Sequence, residues 1–307
     1  MARGKLRSKK VPGLVILAVL LLSGAIFFLS GQIFPESYKV KDYTKASVIE
    51  VYKAPELDLV DYDRRMRRLA NYDSGVATTS QIWPVKAPYP KVGAILPFKR
   101  VVAYYGNLYS TKMGVLGEYS EEEMIRRLKI EIDRWEKADP STPVQPALDY
   151  IAVTAQGSAG ADGKYRLRMP DSEIEKVILM AKKINAIVIL EVQPGLANLQ
   201  QEIEILEPYL KMPYIHLAID PEFCMKNNRK PGEYIGTVDA SEINEASAYL
   251  AKLVRENNLP PKILIVHRFT QNMVTNARQI KTRPEVQIVI DMDGWGGPAK
   301  KIDSYEG

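Results

Sequence analysis

The sequence predicts an α/β protein: a TIM-like (β/α) barrel, incomplete or atypical with about six βα units visible, preceded by a transmembrane helix. Three observations carry this. From Arg100 onward short apolar runs alternate with stretches of helical periodicity, the rhythm of a parallel sheet covered by helices. Two of the strand candidates have one wholly apolar face (Ile215, Leu217 and Ile219; Ile288 and Ile290), while the opposite faces carry His216 and Gln287 deep inside the strand. Polar groups buried on one face suit a barrel interior better than an open sheet with helices on both sides. Near the amino terminus, Val11 to Phe34 contains no charged residue.

That run is long enough for a helix to cross a bilayer core of roughly 30 Å. Arg3, Lys5, Arg7, Lys9 and Lys10 precede it, and no basic residue follows until Lys39. The positive-inside bias therefore places residues 1–10 in the cytoplasm, 11–34 in the membrane as an uncleaved signal anchor, and the remainder outside the cell membrane, a single-pass arrangement with an extracytoplasmic C-terminal domain. A cleaved signal peptide is the alternative. No Cys ends the apolar run, which excludes a lipoprotein anchor. The formal net charge of the chain is +5. The five leading basic residues account for it, so the rest is close to neutral and no nucleic-acid partner is implied. The lone cysteine, Cys224, cannot make an internal disulfide and reads as a small semi-buried side chain. An exported domain without disulfides suits a bacterial envelope protein.

Residues 35–99 are rich in Pro and Tyr and read as a spacer or packing arm, with a short strand over 47–52 and a basic helix over 61–70. The barrel-like domain occupies 100–307. Strands are expected at 101–105, 148–154, 186–192, 214–223, 262–267 and 286–291. Helices follow Ser120 and Ser172, each with a Glu three residues on as in a capping box, then cover 201–210, 240–257 and 271–280. The glycine-rich stretch 157–163 lacks phosphate-loop spacing and reads as a flexible strand-to-helix loop. From Arg100 about 200 residues remain, against roughly 250 for a complete barrel. This points either to an incomplete reading frame or to a pared-down barrel that borrows a strand from 35–99.

The carboxyl ends of the strands supply the candidate site. They offer Tyr104, Tyr105 and Asn107, then Thr154 and Gln156, then Glu191 and Gln193, then Asp220 and Glu222, then His267 beside Arg268, and last Asp291, Asp293 and Trp295. Crowded carboxylates raise one another's pKa, making a protonated acid and an ionised base available together. Asp220-Pro221-Glu222 resembles the Asp-x-Glu that exported bacterial TIM-barrel glycoside hydrolases, the chitinase-like and lysozyme-like groups, place at the end of a middle strand. Ala218 stands where the fuller chitinase pattern has a further acid, which speaks against substrate-assisted chemistry on an N-acetyl sugar. The resemblance implies a polysaccharide or glycan substrate, Glu222 as general acid, Asp220 orienting it, and Asp291 or Glu191 as base or nucleophile. Tyr104, Tyr105, Gln156, Gln193, His267, Asp293 and Trp295 would bind the substrate. No cofactor motif is present and no metal site is assigned, although Glu191, Asp220, Asp291 and His267 offer the donors of a metal-dependent phosphodiesterase. An anchored protein that binds glycan without cleaving it is the third reading.

Overall fold

The computed structural model describes residues 56–69, 87–293 and 297–306. They belong to the second of two units, Ala54–Gly307. The anchor expected over 11–34, the strand over 47–52 and Trp295 lie outside the described residues. No described helix is long and apolar enough to cross a membrane.

The elements are α1 (Leu59–Leu69), β1 (Arg100–Gly106), α2 (Val115–Glu118), α3 (Glu121–Ala138), β2 (Val144–Ala155), β3 (Arg166–Arg168), α4 (Asp171–Lys182), β4 (Ile187–Val192), α5 (Leu199–Glu204), α6 (Glu207–Leu210), β5 (Ile215–Ile219), β6 (Val238–Asp239), α7 (Ala240–Glu256), β7 (Lys262–His267), β8 (Val274–Thr275), β9 (Val286–Asp291) and α8 (Pro298–Glu306). The main sheet runs β1-β2-β4-β5-β7-β9. Every neighbouring pair on that path is parallel. The order never reverses. Right-handed crossovers then put every connecting helix on one face, and the bare face curls inward. The result is a six-stranded half-barrel. Among the described residues β1 and β9 do not pair, so a closed TIM barrel is not formed.

Side-chain alternation explains the two cores. Outward residues Leu148, Tyr150, Val188, Leu190, Ile215, Leu217, Ile219, Leu264 and Val266 pack beneath the helices. Met124 and Leu128 of α3, Ile174, Val177 and Ile178 of α4, and Ile243, Leu250 and Leu253 of α7 cover them. Inward residues Ala147, Ile187, Ile189, Ala218 and Ile263 form a smaller cluster, closed from below by Ile95 and Leu96. Gln287 fastens that plug, accepting from the Ile95 and Leu96 N–H groups at 3.1 Å each and donating to the Leu96 carbonyl at 2.6 Å. The described part of the 35–99 segment therefore packs on the domain, where Lys91 N–H also donates to the Pro284 carbonyl at 2.8 Å.

Several local expectations need correction. The stretch 271–280 is not a helix but two 3-10 turns flanking β8. The 201–210 helix is broken into α5 and α6 by Ile205 and Leu206, and Pro208 lies in the first turn of α6. Ser120 does cap α3, accepting from the Glu123 N–H at 3.4 Å, but the Glu123 carboxylate turns away to Arg126 and Arg127. Ser172 lies inside α4, whose cap position is Pro170. The full capping box belongs to α7, between Asp239 and Glu242. The glycine-rich loop is the tip of a hairpin that returns as β3, antiparallel to β2.

At the amino ends of β5 and β7 the ladder is completed by side chains. His216 Nδ1 accepts from the Ile263 N–H at 2.9 Å. Lys262 Nζ donates to the Met212 and Ile215 carbonyls at 2.6 and 2.8 Å. Burial pulls the Lys262 ammonium down to about 7. Burial, with Lys262 adding to it, holds His216 well below the ordinary imidazole value. Below about pH 6.5 the unfolded chain binds a proton at this histidine that the folded chain refuses, so stability falls with falling pH. His216→Gln, which keeps an acceptor for Ile263, should flatten that acid slope when urea midpoints are compared between pH 7 and 5. Parallel curves for the two proteins would refute the assignment.

Candidate active site at the carboxyl ends of the strands

The inward rows of the half-barrel end in acids because the last inward position of each strand meets the open mouth. Strand register brings them together. Tyr105 pairs with Asp149, and His267 with Asp291. Glu191 stands on β4, and Asp220 directly follows β5.

Glu191 is fully buried and is the hub. Its Oε1 accepts from Tyr105 OH at 3.2 Å and from Gln193 Nε2 at 2.7 Å. Its Oε2 lies 3.1 Å from His267 Nε2, without the alignment of a straight hydrogen bond. His267 Nδ1 faces Asp293 Oδ2 at 3.1 Å and Asp291 Oδ2 at 3.5 Å. Gln193 also donates to Asp220 Oδ2 at 3.3 Å, and its own Oε1 accepts from the Ala155 N–H at 3.1 Å. The amide thus ties β2, β4 and the end of β5 into one rigid floor.

Burial dominates the electrostatics. It pushes the Asp149 and Asp220 carboxyls well above the usual range, and the nearby Glu191 charge adds to it. Burial alone opposes the His267 imidazolium, but the Asp293 and Glu191 carboxylates outweigh it and push the group up to about 12. Tyr105 is 37% exposed. Its hydroxyl is nevertheless desolvated beside Glu191, Asp220 and Asp149, which keeps the phenol protonated as a donor. Burial, then Asp293 and Glu191, raise Glu222. Burial also raises Asp291, with His267 pulling the other way.

The predicted site residues divide accordingly. Glu191, Asp220, Gln193, His267, Asp291, Asp293 and Tyr105 form one network. Glu222 stands at its rim, half-buried, on a 3-10 turn over Pro221–Phe223 rather than on the strand. Asp220 caps that turn, its Oδ1 accepting from the Glu222 N–H at 3.0 Å. Tyr104 does not join. It points outward and packs against the helix-side core, as parity with Tyr105 requires. Gln156 bonds only its own hairpin, donating to the Thr154 carbonyl at 3.4 Å. Asn107 and Thr154 are structural: both donate to the Ile151 carbonyl, at 3.0 and 3.3 Å. That carbonyl lies where a register shift in β2 breaks the ladder. Cys224 is buried, and burial pushes its thiol up, as befits an inert packing residue.

Asp149 is the residue that sequence reasoning missed. It sits mid-strand in the apolar run Leu148–Val153, and β2 continues past the site into the β3 hairpin, so the end of the strand is not the end of the floor. The available signal was a lone charge at period two from Ala147 and Ile151. Asp149, Glu191 and His267 each present a ligand atom within 4.8 Å of the others, so this trio has the spacing to hold a metal ion.

No family model matches the chain, and no curated protein matches it. Function therefore rests on the site itself.

Proposed function

We propose that the half-barrel mouth hydrolyses glycosidic bonds in a polysaccharide, with Glu222 as general acid. The observation that carries this is a half-buried acid, Glu222, at the rim of a mouth that holds two solvent-reached carboxyls. Glu222 is half-buried at the rim, on a turn capped by Asp220, and burial raises its carboxyl above the ordinary value. Asp291 and Asp293 keep about half of their side chains in solvent, 51% and 46%. Two carboxyl groups reached by solvent at one mouth are the minimum for glycoside hydrolysis.

Glu222 donates its proton to the leaving oxygen, and Asp291 attacks the anomeric carbon or activates a water. Glu191 has no access to substrate, so of the two bases that the sequence offers Asp291 takes the role. The partly exposed Tyr105 provides a face for a sugar. The uncharged run at 11–34 supports a membrane-anchored protein whose domain acts on an envelope glycan outside the cell.

The test is release of reducing ends from a panel of cell-wall and neutral glycans by the full chain. Cleavage of at least one glycan is expected. Saturable glycan binding with no cleavage across the panel would assign the protein to glycan recognition instead.

A further inference from the structure

We propose that Asp149, Glu191 and His267 bind a divalent first-row transition-metal ion of the Zn2+ or Mn2+ type. This goes beyond the acid–base reading and holds whether or not glycans are cleaved.

Three buried side-chain atoms from β2, β4 and β7 converge beneath the mouth. Asp149 Oδ1, Glu191 Oε2 and His267 Nε2 are all buried and none makes a well-aligned hydrogen bond, although Glu191 Oε2 and His267 Nε2 face each other at 3.1 Å as an ion pair. They belong to the three residues whose ligand atoms cluster within 4.8 Å. Leaving a buried polar atom such as Asp149 Oδ1 unsatisfied is costly, and an ion seated among the three atoms would give all of them a partner. Asp149 is 4% exposed and Glu191 fully buried, so bulk water is not that partner.

The remaining atoms of two of these side chains are already held as metal ligands usually are. His267 Nδ1 faces the Asp293 carboxylate at 3.1 Å, so an ion that displaces the proton from Nε2 would meet a ring already oriented through its other nitrogen. Glu191 Oε1 is fixed by Tyr105 and Gln193, which leaves Oε2 for the ion. Two ligands each about 2.1 Å from a metal stand about 3.0–3.4 Å apart at octahedral to tetrahedral angles. Glu191 Oε2 and His267 Nε2 are 3.1 Å apart. Asp220 is excluded from the ligand set because both its oxygens are used, one by the Glu222 N–H and one by Gln193. One imidazole with two carboxylates favours Zn2+ or Mn2+ over Ca2+ and Mg2+, which prefer all-oxygen sites.

The full chain, freed of metal with a chelator, is titrated calorimetrically with Zn2+, Mn2+, Mg2+ and Ca2+ in turn. One saturable equivalent of Zn2+ or Mn2+ is expected, with a higher melting temperature. Asp149→Asn and Glu191→Gln should each weaken binding by about 100-fold or more, and Tyr105→Phe, which frees Glu191 from one anchor, by about 10-fold. Asp162→Asn, on the exposed hairpin, should bind as the parent does. Absence of saturable binding by the parent would overturn the proposal. So would unchanged binding by the Asp149→Asn chain, or tighter binding of Ca2+ or Mg2+ than of either transition metal. Should the two ligand variants fail to fold, the Tyr105→Phe chain decides, because loss of its hydroxyl leaves the packed ring in place.

Discussion

Glu222→Gln is expected to lower the rate of glycan hydrolysis by about 10²- to 10⁴-fold, the usual contribution of a positioned general acid. The substitution is nearly isosteric. It leaves the turn intact, because Asp220 caps the Glu222 backbone N–H and not its side chain. Substrate binding should therefore survive while turnover is lost, which separates a chemical role from a structural one. The parent should also show a basic limb in kcat/KM. The acid must be protonated to work, so activity falls as pH rises through the Glu222 pKa, which burial and the Asp293 and Glu191 carboxylates place above the ordinary carboxylate value. In the variant that limb should vanish from the residual rate. A variant that turns over glycan at the parental rate would remove Glu222 from the mechanism.

The largest effect on stability is expected at Glu202, on α5. This carboxylate is 1% exposed. It accepts from Arg166 Nε at 2.9 Å, Arg168 Nε at 2.7 Å and Arg168 Nη2 at 3.0 Å. It is the clasp between the β3 hairpin and the helix layer. Glu202→Ala leaves the Arg166 guanidinium, whose side chain is 11% exposed, with only the half-exposed Asp162 carboxylate at 2.8 Å in place of its buried partner. Breaking a buried ion pair from one side costs about 3–5 kcal/mol. For a domain of this size that is a fall of about 10 °C in melting temperature. Removal of Arg134 from its exposed pair with Glu131 should leave the midpoint unchanged. If the two variants melt together, the Glu202 cluster is not the clasp described.

The difference between those two ion pairs could not be read from the chain. Glu131–Arg134 is visible as a helical neighbour pair, and its side chains meet because three residues make nearly one turn. Glu202 meets Arg166 and Arg168 only because β3 folds back along β2, and the sequence presents that segment as an ordinary glycine-rich loop. The same limit applies to the site. The parity of Ile215, Leu217 and Ile219 against His216 and Ala218 is a local property, and it placed Asp220 at the mouth correctly. Asp149 depended on β2 running past the floor, which is a matter of pairing with a distant hairpin. Tyr104 and Tyr105 looked equivalent because both end the same strand; which of them faces the acids is set by the side on which the helices pack.

The six strands of the main sheet, the alternation of apolar and polar faces, and the gathering of acids at strand ends were written in the order of residues, because backbone periodicity is a short-range property. Three things were decided only in the folded chain. The sheet curls into a half-barrel because its strand order never reverses. Residues 95 and 96 close its floor because the Gln287 side chain offers a carbonyl and an amide together. And Asp149, Glu191 and His267, far apart in sequence, come to share one buried pocket because parallel pairing stacks the inward positions of β2, β4 and β7. Each of these depends on contacts between segments distant along the chain, which no local pattern encodes.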